Sequence, residues 1–448
     1  MASRIRQFLI LLSLASLARP AFPQDAGPLR KEIAAAHVVS AAAARKDGLW
    51  EEARDDYVFA LDLDESSEAA KQGRDELASE RVLVWSDAIH KKYVAWKGKR
   101  DKAGKEEAKK LAGLLKAWPA DRADEGQDLA RLAVRLDPEN KEARTFQGEA
   151  FVKGTGWMPK EDADQVSKGN RRWGKEWVPA KSVEGQKPAW DSAWEVRGPN
   201  FAVRCNAGEA EGKSTLAWAE EVLRAFRREF NGMLPVRVPA EGMSIFHFKD
   251  RADLDEHIRT AHGDRPGPKK APGFFTSEDK VGHFFPVSLA GSDQTLEDII
   301  RHETTHQVAY YAMPAAQGNP TERPHFWAWE GLASYFETLQ VRDGKLLLGN
   351  PAHVRIKLCR DLVAKNQHVP WKDFVQGAQA QMSGRYPQAA TMLAFFMNAK
   401  MGAYREKLVE YLKVVHEAKA DAGSFDTAFG AAPESFEAEW IAWVKALK

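Results

Sequence analysis

His302-Glu303-Thr304-Thr305-His306 sets two imidazoles four residues apart. On an α-helix that spacing puts both on one face. Two such nitrogens can reach a single zinc ion, each at roughly 2.0–2.1 Å. Glu303 sits beside the first histidine and is poorly aimed to be a ligand itself. It can instead reach a water held by the ion, take its proton during attack and return it to the leaving group. Catalytic zinc typically has three protein ligands and one position left for water. The third candidate is Glu330, which follows His306 by 24 residues. That is enough chain to turn and lay a second helix against the first. Gly331 and Ala333 are small, which predicts close approach of this second helix to the motif helix. Glu337 lies two helical turns past Glu330, on the same face, in position to orient a ligand histidine. A surface carboxylate is the competing reading of Glu337.

These side chains need a rigid helix and a partner. Thr295 is a cap for the motif helix, with Asp298 three residues on in capping-box fashion. Ile299, Ile300, Val308 and Ala309 supply apolar contacts. Upstream, residues 194–196 and 201–205 read as strands around the Gly198-Pro199 turn. Residues 215–230 read as an amphipathic helix, 243–248 as a strand and 254–262 as a short helix. Residues 274–275 and 281–285 form a hairpin around 277–280. Helices follow to the C-terminus. The predicted class is α+β, a small mixed sheet with a mostly helical C-terminal part. Gly208-Glu-Ala-Glu-Gly212-Lys213-Ser214 mimics a phosphate-binding loop. It has three residues between its glycines where four are needed, and two of them are acidic.

The chain has 448 residues, enough for two or three domains. Lys+Arg 65 nearly cancel Asp+Glu 64, which argues against a general nucleic-acid or membrane-surface role. Residues 1–21 read as a signal peptide: Arg4 and Arg6 precede an apolar run at 8–18, with Ala18 and Ala21 near a cleavage point. The expectation is an exported protein, periplasmic or secreted, with no stable membrane span after signal removal. Cys205 and Cys359 are too few for a cysteine zinc cluster, and nothing in the sequence says that they meet. The 15 tryptophans are read first as packing anchors. Residues 25–152 read as helical. Ala53, Tyr57, Ala60 and Leu61, and again Ala133 to Pro138, resemble tetratricopeptide repeats, a possible surface for a protein partner. An ordinary helical spacer is the alternative, and the lysine-rich stretch 99–116 matches poorly. Residues 153–189 read as a connector of tryptophan-anchored turns or short strands, with Trp157-Met-Pro159 echoed by Trp177-Val-Pro179.

The pair His302-Glu303-Xaa-Xaa-His306 and Trp329-Glu330-Gly331-Xaa-Ala333 resembles the gluzincin metallopeptidases, the class that includes thermolysin and aminopeptidase N. The layout is most similar to bacterial exported peptidase-MA-like proteins with tetratricopeptide-like regions before the peptidase domain. The resemblance covers residues 190–448. It implies a zincin-like fold, one Zn2+ ion and a peptide or protein substrate. Two positions depart from the pattern. Thermolysin-like enzymes have an aspartate four residues after the ligand glutamate, where this chain has Ser334. The glycine-x-methionine-glutamate-asparagine motif of the aminopeptidases does not precede His302, which leaves endo- or oligopeptidase activity open. Tyr386, before an apolar helix, is the candidate donor to the oxyanion of the tetrahedral intermediate, as related gluzincins have a tyrosine at a comparable place. His325 is a second candidate for that role. His247 and His283 fall on predicted strands and are read as structural or surface residues. Two other functions fit the same residues: a noncatalytic interaction protein built on its helical repeats, and a zinc hydrolase of a non-peptide bond.

Overall fold

The computed structural model describes residues 26–78, 87–174, 176–230, 233–262, 272–286, 294–314 and 320–447. The expected signal peptide, residues 1–21, lies outside them. The chain divides into two compact units, one ending at Ala163 and the other continuing from Asp164. The class is α+β.

The first unit is helical, as its spacing of small and large apolar residues predicts. Helices Gly27–Lys46 and Trp50–Leu63 pair closely, as do Asp87–Leu115 and Ala123–Leu136. Alanines make the contact: Ala34, Ala41, Ala44, Ala53, Ala60, Ala108, Ala130 and Ala133 are all buried. The lysine-rich stretch belongs to the long helix Asp87–Leu115, which buries Ala108, Leu111, Ala112 and Leu115. Its lysines therefore share a helix with an apolar face.

The expected connector is divided between the units. Residues 149–152, read as helical, are instead a strand: Glu149–Val152 pairs with Gly156–Pro159 in a hairpin of the first unit, with Trp157 against Phe151 at 5.4 Å. Strands Asn170–Trp173 and Glu176–Pro179 form a second hairpin in the other unit, with Arg172 over Trp177. Trp173 meets Trp194 edge-on at 5.7 Å, and the Trp194 indole donates to the Arg172 carbonyl. These tryptophan contacts fix the second hairpin to the first strand of the sheet.

That sheet has five strands in the spatial order Trp194–Arg197, Phe201–Cys205, Met243–His247, Val281–Phe284, Gly273–Thr276. The pairings run antiparallel, parallel, parallel and antiparallel, so the sheet is mixed. The two parallel pairings need crossovers, which helices Glu209–Phe230 and Arg251–His262 supply. Phe201–Cys205 and Met243–His247 alternate buried and half-buried positions. Val281–Phe284 is buried throughout, as expected of a strand covered on both faces. Helix Glu209–Phe230 begins six residues earlier than expected. The pseudo phosphate-loop is therefore helix, and a side chain at Gly212 would press on Cys205 and Val196.

The remainder is mostly helical, with Phe326–Glu337, Val354–Ala364, Tyr386–Asn398, Arg405–His416 and Glu434–Ala446, but a short antiparallel hairpin of Gln340–Arg342 and Lys345–Leu347 interrupts the expected run of helices. Trp327, Trp371 and Trp440 are fully buried among Phe395, Phe396 and Phe429, which bears out the packing role of these tryptophans. Both cysteines are buried free thiols. No helix among the described residues is long and apolar enough to cross a membrane.

Candidate metal centre

The motif helix runs Leu296–Ala312 and is anchored at its start and along its length. The capping box forms as its sequence predicts: the Asp298 N–H donates to Thr295 Oγ1, and the Thr295 N–H donates to Asp298 Oδ2 at 2.7 Å. Ile299, Ile300, Val308 and Ala309 are buried. Arg301 donates to the Leu339 carbonyl and pairs with Glu221 and Glu297. Gln307 donates to the carbonyls of Ser244 and Lys280, tying the helix to the sheet. Gly273 on the edge strand leaves no room for a side chain beside Phe284 and Ile299, so the strand lies against this helix.

His302 and His306 bring their Nε2 atoms to 3.2 Å from each other. Glu330, on helix Phe326–Glu337, points Oε2 between them, 3.2 Å from His302 Nε2 and 3.7 Å from His306 Nε2. All three residues are buried, and one ligand atom from each can lie within 4.8 Å of the others. Bonds of about 2.0–2.1 Å in a tetrahedron put neighbouring donors roughly 3.3 Å apart. The two 3.2 Å separations match that figure, and the 3.7 Å one between His306 and Glu330 is wider. Two imidazoles and a carboxylate are also a donor set suited to a borderline divalent ion such as zinc. The residues fit a metal.

Glu337 is fully buried, which excludes the surface reading, and its Oε1 is 2.6 Å from His302 Nδ1. With the Nδ1 proton donated to that carboxylate, the Nε2 lone pair faces Glu330 and His306. Burial alone would lower the His302 imidazole, but Glu330 and Glu337 carry it up to about 10. Burial works against the Glu330 carboxylate too, yet the two histidines hold it well below the usual carboxylate range. Without a metal, both shifts favour an imidazolium at His302, paired with Glu330 and Glu337; a bound cation would displace its Nε2 proton.

Glu303 is half-buried and takes no place among those donors. Its Oε2 accepts the Phe275 N–H at 3.0 Å, from the edge strand Gly273–Thr276. Burial raises its carboxyl above the ordinary value, Glu330 adds to the rise, and the two histidines oppose it. Tyr386 opens helix Tyr386–Asn398, with its ring 6.2 Å from that of His302. Burial and the nearby Glu330 push its phenol upward, so it stays protonated and able to donate at neutral pH. The structure thus brings together His302, Glu303, His306, Glu330, Glu337 and Tyr386.

Two expectations need correction. Gly331 does serve a close approach, but to a different helix. A Cβ there would lie 2.9 Å from the Ala389 carbonyl oxygen, on the helix that carries Tyr386. His325 is no oxyanion donor. It is fully buried, with Nδ1 on the Tyr411 hydroxyl at 2.8 Å and Nε2 on the Asp421 carbonyl at 2.5 Å. His247 and His283 are buried structural residues, bonded to Thr215 and Asp279.

Sequence reasoning missed three features. Trp329 stacks on His306 at 5.1 Å and on His416 at 4.7 Å, a sandwich that holds the second histidine's ring. Trp329 stood inside the quoted motif, but its neighbour His416 had no signal. Phe275 contributes only its backbone N–H, which no residue type announces. Arg355 donates to both oxygens of Glu337, and nothing about its position in the sequence marks it. The chain matches no family model and no curated protein sequence. The gluzincin resemblance is therefore carried by these residues alone.

Proposed function

We propose that this chain is an exported zinc-dependent peptidase of gluzincin type. The observation that carries the proposal is the convergence of His302, His306 and Glu330 at tetrahedral spacing, with Glu303 just outside the set. Zinc bound there would act as a Lewis acid on the scissile carbonyl and on the attacking water. Glu303 takes the proton of that water and returns it to the leaving amine. Its raised carboxyl makes it a stronger proton acceptor than an ordinary glutamate. Tyr386 donates its phenolic hydrogen to the oxyanion as charge develops on it. Glu337 holds His302 in the tautomer that leaves Nε2 unprotonated.

An extended peptide is the substrate class best supported. Gly273–Thr276 is the last strand of its sheet among the described residues, and it runs past Glu303. A strand edge recognises main-chain amides whatever the side chains.

Digestion of a broad peptide library by the zinc-loaded protein tests the proposal. Glu303→Gln should keep its zinc and lose about 10²–10⁴-fold in rate. Tyr386→Phe should lose about 10²–10³-fold in kcat with little change in KM. A Glu303→Gln variant as fast as the wild type removes the general base. A library left uncut by the zinc-loaded wild type removes the peptidase.

A further inference from the structure

Arg355 is the second residue of helix Val354–Ala364, outside every motif considered above. Its Nε donates to Glu337 Oε2 at 2.7 Å and its Nη2 to Oε1 at 3.1 Å. Its other contact is the ring of Tyr386, with the guanidinium carbon 5.2 Å from the centroid. We infer that Arg355 is a positioning residue for the site, one guanidinium that sets both the carboxylate behind His302 and the ring of Tyr386. This rests on the metal-dependent reading above.

The geometry favours this role over others. A carboxylate at the end of a glutamate turns broadly about its last bond. A two-point contact with a planar guanidinium fixes its plane, which a single contact does not. The oxygen that meets Arg355 Nη2 is the one that meets His302 Nδ1, so the plane of Glu337 sets the angle of the imidazole. Glu337 has no exposed surface, and besides His302 and Arg355 its carboxylate accepts from Gln294 Nε2 at a longer 3.3 Å. Arg355 is itself held in place. Its backbone N–H donates to His353 Nδ1, and His353 Nε2 lies 3.3 Å from Asp298, the capping carboxylate of the motif helix. The helix that carries the guanidinium is thereby tied to the helix that carries the histidines. Two of the three guanidinium nitrogens are committed to Glu337, which argues against a primary role in binding substrate.

The test uses the full chain with Arg355→Met and Arg355→Lys. Zinc affinity is read by chelator competition, and kcat and KM on a peptide cut by the wild type. The His302 Nδ1–H proton is read by NMR and needs no metal. Arg355→Met should weaken zinc binding about 10–100-fold, the usual effect of losing a partner behind a ligand. It should also lower kcat more than it raises KM, and shift or broaden the Nδ1–H signal. Arg355→Lys keeps the charge but not the fork, and should recover only part of each loss. It carries the same comparison if the methionine variant does not fold. The kcat losses of Arg355→Met and Tyr386→Phe should multiply only in part in the double variant, because they share the Tyr386 ring while the arginine also acts through Glu337. Lowered thermal stability with zinc affinity, kcat and the Nδ1–H signal unchanged would overturn the inference and leave a structural ion pair. Full recovery by lysine would overturn it as well. A wild type that binds no zinc but keeps an Arg355-sensitive Nδ1–H signal would sink the metal reading and support the positioning role.

Discussion

Each unit of the chain buries a histidine between two carboxylates with an arginine close by, yet the two clusters have different chemistry. In the first unit, His37 Nδ1 lies 2.6 Å from Asp56, and His37 Nε2 lies 3.7 Å from Glu107. Arg100 fills the middle: its Nη2 is 2.5 Å from His37 Nε2 and 2.5 Å from Glu107. In the second unit, His302 Nδ1 likewise meets a carboxylate at 2.6 Å. There the arginine stands behind that carboxylate, and His306 and Glu330 face the Nε2 side. The residue types are nearly the same. A guanidinium at the centre closes a cluster into an ion-pair network. Moving it one residue outward leaves lone pairs converging where a cation would fit.

Substitutions that empty either centre should separate the two clusters, and the largest effect belongs to the ligand glutamate. Glu330→Ala should leave no zinc after dialysis, while Asp56→Asn should leave zinc content untouched. Zinc retained by Glu330→Ala would break the distinction. Next comes Arg100→Met, which strands buried carboxylates. Breaking such a pair costs about 3–5 kcal/mol, measured by denaturant unfolding, with zinc content unchanged. A variant as stable as the wild type would mean that the first cluster is not a closed network. Glu337→Gln should weaken zinc binding about 10–100-fold, well short of Glu330→Ala. The reverse order would make Glu337 the ligand. Smallest is Gly331→Ala, which forces a methyl group onto the Ala389 carbonyl and should destabilise by about 1–3 kcal/mol. No loss of stability there would show that the two helices can separate freely.

Much of the site was legible because helical periodicity is a strong constraint. Once Thr295 starts the motif helix, His302 and His306 must share a face, and the same holds for Glu330 and Glu337 on theirs. The hairpin around residues 277–280 was legible as two apolar runs on either side of a polar stretch, and Lys280 takes the left-handed turn that closes it. What the sequence hid depends on contacts between distant segments. The spacing of Gly331 signalled a close approach but not which helix approached. Arg355 and His416 act through neighbours reached only by tertiary folding. His325 had the right residue type in the right region, and only its partners Tyr411 and Asp421 show that both ring nitrogens are engaged. The early start of helix Glu209–Phe230 brings Gly212 against Cys205, a contact no local pattern contains.

Zinc content after loading and exhaustive dialysis probes the centre most directly. One ion per chain is expected in the wild type and none in His302→Ala, with both proteins folded by circular dichroism. Equal zinc in the two proteins, or a folded wild type that retains none, would contradict a cation seat formed by His302, His306 and Glu330.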